Sequence, residues 1–189
     1  MKIKIIAGST RPGKFNLQPS QWLKKIADEN KEAEFELIDI EELNLPLLDE
    51  KNPPMEQKYE HDHTKKWSEI VDGADGFVFV TPEYNHSIPG ALKNAIDYLY
   101  KEWNYKPAVF VSYGSAAGGS RAVEHLRGVM GELKVFDLRE QILLPNYWEN
   151  LDENHLYKFT ERQSKNAVDM LKSLVFWARV MKEARKNLA

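Results

Sequence analysis

The stretch that decides the fold is Thr81-Pro82-Glu83-Tyr84-Asn85-His86-Ser87-Ile88-Pro89-Gly90. A continuous apolar run, Gly76–Val80, leads into it, as expected for a strand that is covered on both faces. Behind it, Pro89 suits the first position of a helix, and apolar residues recur with helical spacing from Ala91 to Leu99. A polar loop therefore follows the carboxyl end of a central strand, which is where open α/β sheets bind their ligands.

The same order of strand, loop and helix repeats along the rest of the chain. Glu36 and Asp39 interrupt the second apolar run, so that strand is predicted to lie at a sheet edge. A capping box, Thr160–Gln163, is predicted to begin the last helix. The other predicted strands are Ile3–Ala7, Phe35–Ile40, Ala108–Ser112 and a segment within Lys134–Leu144 that Pro145 stops. This alternation favours an α/β fold with a five-stranded parallel sheet and helices on both faces.

Composition limits the classes of function. The 189 residues fit one domain, residues 1–189, and 42% of them are apolar. A net charge of −3 argues against a nucleic-acid or membrane partner. The absence of cysteine excludes disulfides, thiolate metal sites and cysteine nucleophiles. No apolar run has the length of a signal peptide core or a membrane span, so we expect a cytoplasmic protein.

The loop after the first strand, Gly8–Asn16, has the composition of an anion site. Ser9 and Asn16 offer neutral donors, Arg11 and Lys14 offer positive charge, and the following helix points its positive end at the same place. The alternative is an ordinary turn with a solvated arginine and lysine.

Two known phosphate motifs nearly match this loop and are rejected. Gly8–Phe15 has Walker A spacing, but Phe15 lacks the hydroxyl that would bind magnesium. No Walker B aspartate follows the third strand, which ends in Thr81 and Pro82. The dinucleotide fingerprint is also absent, so Asp39 is interpreted as a strand-end residue. What remains is suited to a monophosphate.

The loop after the third strand is suited to a flat heterocycle. Tyr84 can stack on a ring, and backbone groups at Glu83 and Asn85 can bind its polar edge. Glu83 has the alternative of an ion pair or a helix cap. His86 is interpreted as a solvated loop residue, because no partner for it has suitable spacing.

The loop after the fourth strand, Tyr113–Ser120, is small and rich in glycine, which allows close backbone approach to a ligand. Its alternative is an ordinary connection. Arg121 and Arg127 follow on a helix and are either a site for a nicotinamide cofactor's phosphate or a solvated face. The segments 50–62 and 146–160 carry no motif that predicts a role.

Together these loops resemble the NADPH-dependent FMN reductase family, which has a flavodoxin-like fold and includes quinone, azo-dye and chromate reductases. The resemblance lies in Gly8–Asn16, in Pro82–Asp97 and in the Gly118-Gly119 loop, and it covers roughly residues 1–145. It implies a three-layer sandwich with strand order 2-1-3-4-5.

The resemblance also implies an FMN site. Ser9, Arg11 and Asn16 would hold the phosphate. Many members have serine where this chain has Lys14, so a hydroxyl is lost there and a cation is gained. The full set that the resemblance implies is Ser9, Arg11, Lys14, Phe15, Asn16 at the phosphate, Pro82, Glu83, Tyr84, Asn85 at the isoalloxazine, and Ser112, Tyr113, Gly114, Gly118, Gly119 at its other edge.

The implied activity is FMN-dependent NAD(P)H oxidoreduction, with hydride passed from NADPH or NADH through FMN N5 to a small-molecule acceptor. No side chain need act as an acid or base, so no catalytic residue is predicted. The family commonly forms homodimers or homotetramers. Tyr98, Tyr100 and Trp103 belong either to such an interface or to the core.

Two other functions fit the same fold. A non-enzymatic electron carrier of the flavodoxin type is usually more acidic and has a hydroxyl-rich phosphate loop. An interaction module remains open because fold does not fix function. A phosphoacceptor receiver domain would need an aspartate where Thr81 and Pro82 stand.

Overall fold

The computed structural model describes residues 1–187, so the last two residues of the predicted domain lie outside the described part. Five strands form one parallel sheet in the order β2-β1-β3-β4-β5, which confirms the predicted fold and strand order. The strands are β1 Lys2–Ala7, β2 Glu34–Asp39, β3 Gly76–Pro82, β4 Pro107–Gly114 and β5 Phe136–Pro145. The order reverses direction between β1 and β3, and this is the point where such sheets open a crevice.

In the described part of the chain, six helices flank the sheet. They are α1 Leu17–Ala27, α2 Ile40–Leu43, α3 Asp62–Asp72, α4 Gly90–Asp97, α5 Ser120–Glu132 and α6 Glu161–Arg185. Three short 3-10 turns lie at Pro54–Glu56, Lys101–Trp103 and Tyr147–Asn150. The predicted capping box is confirmed, because Thr160 and Gln163 exchange both of its hydrogen bonds at the start of α6. Within residues 1–187, no helix is long and apolar enough to cross a membrane.

Alternating side chains of the central strand build a core on each face of the sheet. Val78 and Val80 pack toward α1 and α6, whereas Phe77 and Phe79 pack toward α3, α4 and α5. All four side chains are fully buried, and burial of each is worth about 1.5–3 kcal/mol. A sheet held on both faces gives the loops at its edge a rigid base.

Tyr98 and Trp103 belong to the core, as the second of the two sequence interpretations had it. Both side chains are fully buried within this one chain. The Tyr98 hydroxyl donates to Asp49 Oδ1 at 2.9 Å, and the Trp103 indole donates to the Ile96 carbonyl at 3.2 Å. These two residues therefore offer no surface to a partner.

The strands extend further into the loops than their apolar runs predict. β3 reaches Pro82, and β4 reaches Gly114, because the ladder continues with Pro82 opposite Tyr113. β5 includes Pro145 as its last residue, which is tolerated because β5 is an edge strand. Pro89 precedes α4 as its N-cap and is not its first helical residue.

Candidate active site

A cleft of about 330 Å³ opens at the carboxyl edge of the sheet, in the size range of small-molecule sites. The loops that follow β1, β3, β4 and β5 all contribute to it. Its lining residues are Arg11, Pro12, Gly13, Lys14, Phe15, Pro82, Glu83, Tyr84, Tyr113, Gly114, Ser115, Tyr147 and Trp148. The three loops that were singled out from the sequence therefore do converge on one crevice.

Residues 11–14 form a tight turn at one end of the cleft. The Lys14 amide donates to the Arg11 carbonyl at 3.0 Å. Pro12 and Gly13 occupy the central positions, and Gly13 has a positive φ of 68°, as in a type II turn. The Arg11 side chain is exposed and has no hydrogen bond or ion pair with any residue in 1–187. The turn thus presents an uncompensated guanidinium to the cleft.

Ser9 and Asn16 lie beneath this turn and not in the cleft wall. Both are fully buried. Ser9 Oγ accepts from the Arg11 amide at 3.3 Å and lies 3.0 Å from the Tyr84 hydroxyl. Asn16 Nδ2 donates to the Ser9 carbonyl at 3.4 Å, but Asn16 Oδ1 has no partner. In the described structure these residues shape the loop.

Lys14 is held by two carboxylates. Its Nζ lies 2.7 Å from both oxygens of Asp39 and 2.6 Å from Glu41 Oε2. Burial of the ammonium works against its charge, but the hydrogen bonds and charges of Asp39 and Glu41 outweigh that effect and raise the Lys14 pKa. Asp39 is more than a strand-end residue, since it also caps α2 by accepting from the Glu41 amide at 3.1 Å.

The loop after β3 closes with a two-residue turn. Tyr84 and Ser87 exchange backbone hydrogen bonds of 2.9 and 3.1 Å, and both central residues, Asn85 and His86, have positive φ. Asn85 and His86 are exposed, which confirms the solvated histidine. Tyr84 is half-buried in the cleft wall. The hydrogen bond between its hydroxyl and Ser9 Oγ joins the loop after β3 to the loop after β1.

Glu83 adopts the roles that the alternative interpretation gave it. Its carboxylate accepts from Arg121 Nε at 2.6 Å and from the Arg121 amide at 3.2 Å, at the start of α5. Burial raises its pKa, but the bonds from Arg121 dominate and hold the pKa below its usual value. Arg127 donates to Asp137 at 2.6 Å and packs on the Phe110 ring, so it serves the core.

The loop after β4 packs closely against its own strand. Ser112 is buried, and its hydroxyl donates to the Gly118 carbonyl at 2.9 Å. A Cβ on Gly119 would meet Ser112 Cβ at 2.7 Å and the Tyr113 nitrogen at 2.9 Å, so only glycine fits there. Gly118 and Gly119 thereby form the support of this loop, while Tyr113 and Gly114 line the cleft.

Aromatic rings close one wall of the cleft, and two of them were missed in the sequence. Phe15 is buried and stacks on Tyr147 at 4.3 Å between ring centroids, with Tyr113 edge-on at 5.0 Å. Trp148, half-exposed, stands edge-on to Tyr147 at 5.4 Å. The Asn146 amide donates to the Ser115 carbonyl at 3.2 Å and so fixes this tail on the β4 loop.

Tyr113 brings an unsatisfied polar atom to the same wall. Its hydroxyl is buried and has no hydrogen-bond partner. Burial of the side chain raises its pKa, and the neighbouring phenols of Tyr84 and Tyr147 add to that shift. The hydroxyl therefore stays protonated and is a donor without an acceptor.

Known proteins share both the sequence and the fold. The family model described as NADPH-dependent FMN reductase matches residues 1–149. An NAD(P)H-dependent FMN reductase of Schizosaccharomyces pombe is 40% identical over 136 residues, covering 71% of this chain and 68% of the relative. An NADPH azoreductase of Bacillus sp. is 30% identical over 190 residues, covering 100% of this chain and 98% of that protein.

A solved structure extends the likeness of the fold over nearly the whole chain. The flavoenzyme NAD(P)H:(acceptor) oxidoreductase of Paracoccus denitrificans superposes with a TM-score of 0.74 at 23% identity, covering 95% of this chain and 98% of its own. The resemblance inferred from the three loops is confirmed by the family match. The chain belongs to the NADPH-dependent FMN reductase family.

Proposed function

We propose that the cleft at the carboxyl edge holds FMN, with its phosphate at the 9–16 loop and its ring between Tyr84 and the β4 loop. The observation that carries this proposal is Arg11. Its guanidinium faces the cleft without a partner in residues 1–187, beside the amino end of α1, whose cap residue Asn16 makes no side-chain capping bond. An uncapped helix start and a free cation together favour a phosphate.

The rest of the cleft fits the same cofactor. The Tyr113 hydroxyl is a buried donor without a partner in the cleft wall. A bound polar ligand would offer the acceptor that the chain lacks. The rings of Tyr84, Tyr113 and Tyr147 line the cleft and suit a flat conjugated ring.

FMN, when bound, supplies the hydride and electron chemistry between NAD(P)H and an acceptor. The chain contributes position and surroundings. The Ser9–Tyr84 contact ties the phosphate end to the ring end, and the partly buried pair of Glu83 with Arg121 fixes the loop that leads to Tyr84. Because Glu83 is already engaged and His86 is exposed, no proton-transfer residue is assigned.

The acceptor we propose is a small planar molecule of the quinone or azo type. A 2-hydroxy-1,4-benzoquinone reductase of Burkholderia sp. is 33% identical over 144 residues, and the Bacillus relative is an azoreductase. Trp148 is half-exposed at the cleft mouth, where an indole face suits a flat acceptor. NADPH or NADH serves as the donor.

We further propose that residues 1–189 act as one domain, in the cytoplasm where NAD(P)H is available, and as a homodimer or homotetramer. Two large apolar side chains on the connection between α2 and α3, Leu47 and Met55, are 86% and 53% exposed, and we propose them as residues of the contact between copies. Light scattering on the purified protein checks the assembly, and cell fractionation checks the location.

Anaerobic mixing tests the activity. Holoprotein mixed with NADPH or NADH is expected to lose the visible absorbance of its oxidised flavin and to recover it when a benzoquinone is added. Steady NAD(P)H oxidation with the quinone separates an enzyme from an electron carrier. A bound flavin that neither nicotinamide bleaches would overturn the oxidoreductase proposal, and a protein that binds no FMN would favour an interaction module.

A further inference from the structure

Lys14 differs from Arg11, the other cation of the loop after β1, in its exposure and in its ionic partners. Its side chain is only 5% exposed, whereas Arg11 is exposed. Its ammonium is shared between Asp39, at 11% side-chain exposure, and Glu41, at 53%. The three groups together carry a net charge of −1, which does not attract a phosphate.

The contacts join three separate pieces of chain. Lys14 ends the tight turn that begins at Arg11, Asp39 ends β2 and caps α2, and Glu41 lies in the first turn of α2. The turn has one backbone hydrogen bond of its own, from the Lys14 amide to the Arg11 carbonyl. The side-chain contacts of Lys14 thus join the outer end of the turn to β2 and α2.

We propose that Lys14 is a positioning residue: with Asp39 and Glu41 it latches the 11–14 turn to β2 and α2, so that Arg11 is held ready for the phosphate, and it does not itself bind the phosphate. The Lys14–Asp39 part of this contact is largely shielded from water, with two hydrogen bonds of 2.7 Å, so its attraction is screened less than that of an exposed pair. A loop that is ordered in advance costs less to order when the ligand binds. The FMN part of this inference rests on the proposed function.

The two possible roles of Lys14 predict opposite effects when its acidic partners are neutralised. The test variant is Asp39→Asn with Glu41→Gln, because asparagine preserves the α2 cap and both changes preserve shape. If Lys14 bound the phosphate, the variant would free the lysine and remove two negative charges, so FMN would bind more tightly. The latch predicts the reverse: FMN binds at least about threefold more weakly because the turn is no longer fixed.

A double-mutant cycle sharpens the test. Lys14→Met alone is expected to weaken FMN binding by a similar factor, and adding it to the Asp39→Asn/Glu41→Gln variant is expected to change little more. Glu36→Gln is the matched control. Like Glu41→Gln, it removes one negative charge from an acid whose side chain is 53% exposed and pairs with a buried lysine, here Lys4. It is expected to leave FMN binding unchanged.

Amide hydrogen exchange tests the latch without any flavin. In the flavin-free protein, the hydrogen-bonded amides of Arg11 and Lys14 are expected to exchange faster in the Asp39→Asn/Glu41→Gln variant, while those of β3 keep their protection. Unchanged exchange in the turn would overturn the latch even if FMN binds as proposed. Faster exchange in a protein that binds no FMN would uphold the latch and overturn the cofactor proposal. Tighter FMN binding in the variant would make Lys14 a phosphate ligand and end the inference.

Discussion

The amino and carboxyl edges of the sheet differ in how completely the chain pairs their polar and charged groups. At the amino edge, Asp75 accepts from the Lys2 amide at 3.0 Å, from Lys182 Nζ at 2.9 Å and from Arg185 at 3.0 Å. Even the buried Lys106 is satisfied there, since its ammonium donates to the carbonyls of Val71 and Asp72, both at 2.8 Å. This edge completes itself with its own residues.

The carboxyl edge leaves groups open. Within residues 1–187, the Arg11 guanidinium has no partner, and Asn16 Oδ1 and the Tyr113 hydroxyl are buried without one. One further buried orphan, Thr64 Oγ1, lies on α3, away from the cleft. Since buried polar groups are normally satisfied, these open groups support the proposed ligand at this edge. The Arg11 guanidinium and the Tyr113 hydroxyl are donors that a phosphate or flavin acceptor would pair, whereas Asn16 Oδ1 accepts and would need a donor.

The largest predicted effect is a loss of stability when the charge network at the amino edge is broken. Asp75→Ala leaves Lys182 and Arg185 without their carboxylate and removes the acceptor of the Lys2 amide, so the free energy of unfolding should fall by about 2–3 kcal/mol. Urea unfolding measures the loss. FMN affinity per folded molecule should not change, and a parallel fall in affinity would show that the two edges are not independent.

A substitution at the carboxyl edge should have the reverse pattern, with FMN binding weakened and stability unchanged. Arg11→Ala is expected to weaken FMN binding by about 2 kcal/mol, or about 30-fold, because a charge-assisted contact to the phosphate is lost. The flavin-free variant should keep its unfolding free energy to within about 0.5 kcal/mol, since the guanidinium contacts nothing in the described chain. Arg139→Ala removes the same charge from an exposed arginine of β5 and is the control, with no change expected in either quantity.

A smaller effect is expected at the aromatic wall. Trp148→Phe should weaken FMN binding by about 1 kcal/mol or less, because a ring of similar shape remains. The clearer readout is fluorescence: bound FMN should quench less indole emission in this variant than in the parent. Trp177→Phe on α6, where the indole packs against Phe136, is the matched control, and equal quenching in the two variants would place Trp148 outside the site.

The smallest predicted effect is a pH dependence of the unfolding free energy that arises from Asp75 at the amino edge. Burial pushes the Asp75 pKa up, but the bonds from Lys182 and the Lys2 amide outweigh burial and lower it. A lowered native pKa stabilises the protein above the unfolded value of about 3.9, and the contribution disappears as the pH falls through the native pKa. As the pH is lowered from about 6 to about 3, a range that includes the unfolded pKa of aspartate, the unfolding free energy should therefore fall more steeply in the parent than in Asp75→Asn. Equal slopes would contradict the assignment.

Local patterns were enough to predict the fold and the place of the cleft. The apolar run Gly76–Val80 marked the central strand, and the Pro12-Gly13 pair carries the turn chemistry that the 11–14 loop adopts. The capping box at Thr160 fixed the start of the last helix. Each of these signals depends on neighbouring residues only, which is why the sequence alone reveals it.

Contacts between distant residues were beyond the reach of such patterns. Lys14 pairs with Asp39, which lies 25 positions further along the chain. The sequence predicts a free cation at Lys14, but the structure shows a paired one. Tyr147 and Trp148 reach the cleft only because the chain folds back after β5, and the surrounding residues show no periodicity that would reveal it. The motif predicts Ser9 and Asn16 at the phosphate, and that role stays a prediction. Their complete burial beneath the turn depends on packing and could not be read from the motif.

The most direct test of the central claim is a titration of the flavin-free protein with FMN and with riboflavin, which differ only in the phosphate. If the open edge is completed by a phosphate, FMN should bind at least about tenfold more tightly than riboflavin, since a charge-assisted contact is worth about 1.5–3 kcal/mol. Equal affinity for the two flavins would mean that the unpaired Arg11 and the uncapped start of α1 do not serve a phosphate, and it would contradict the account.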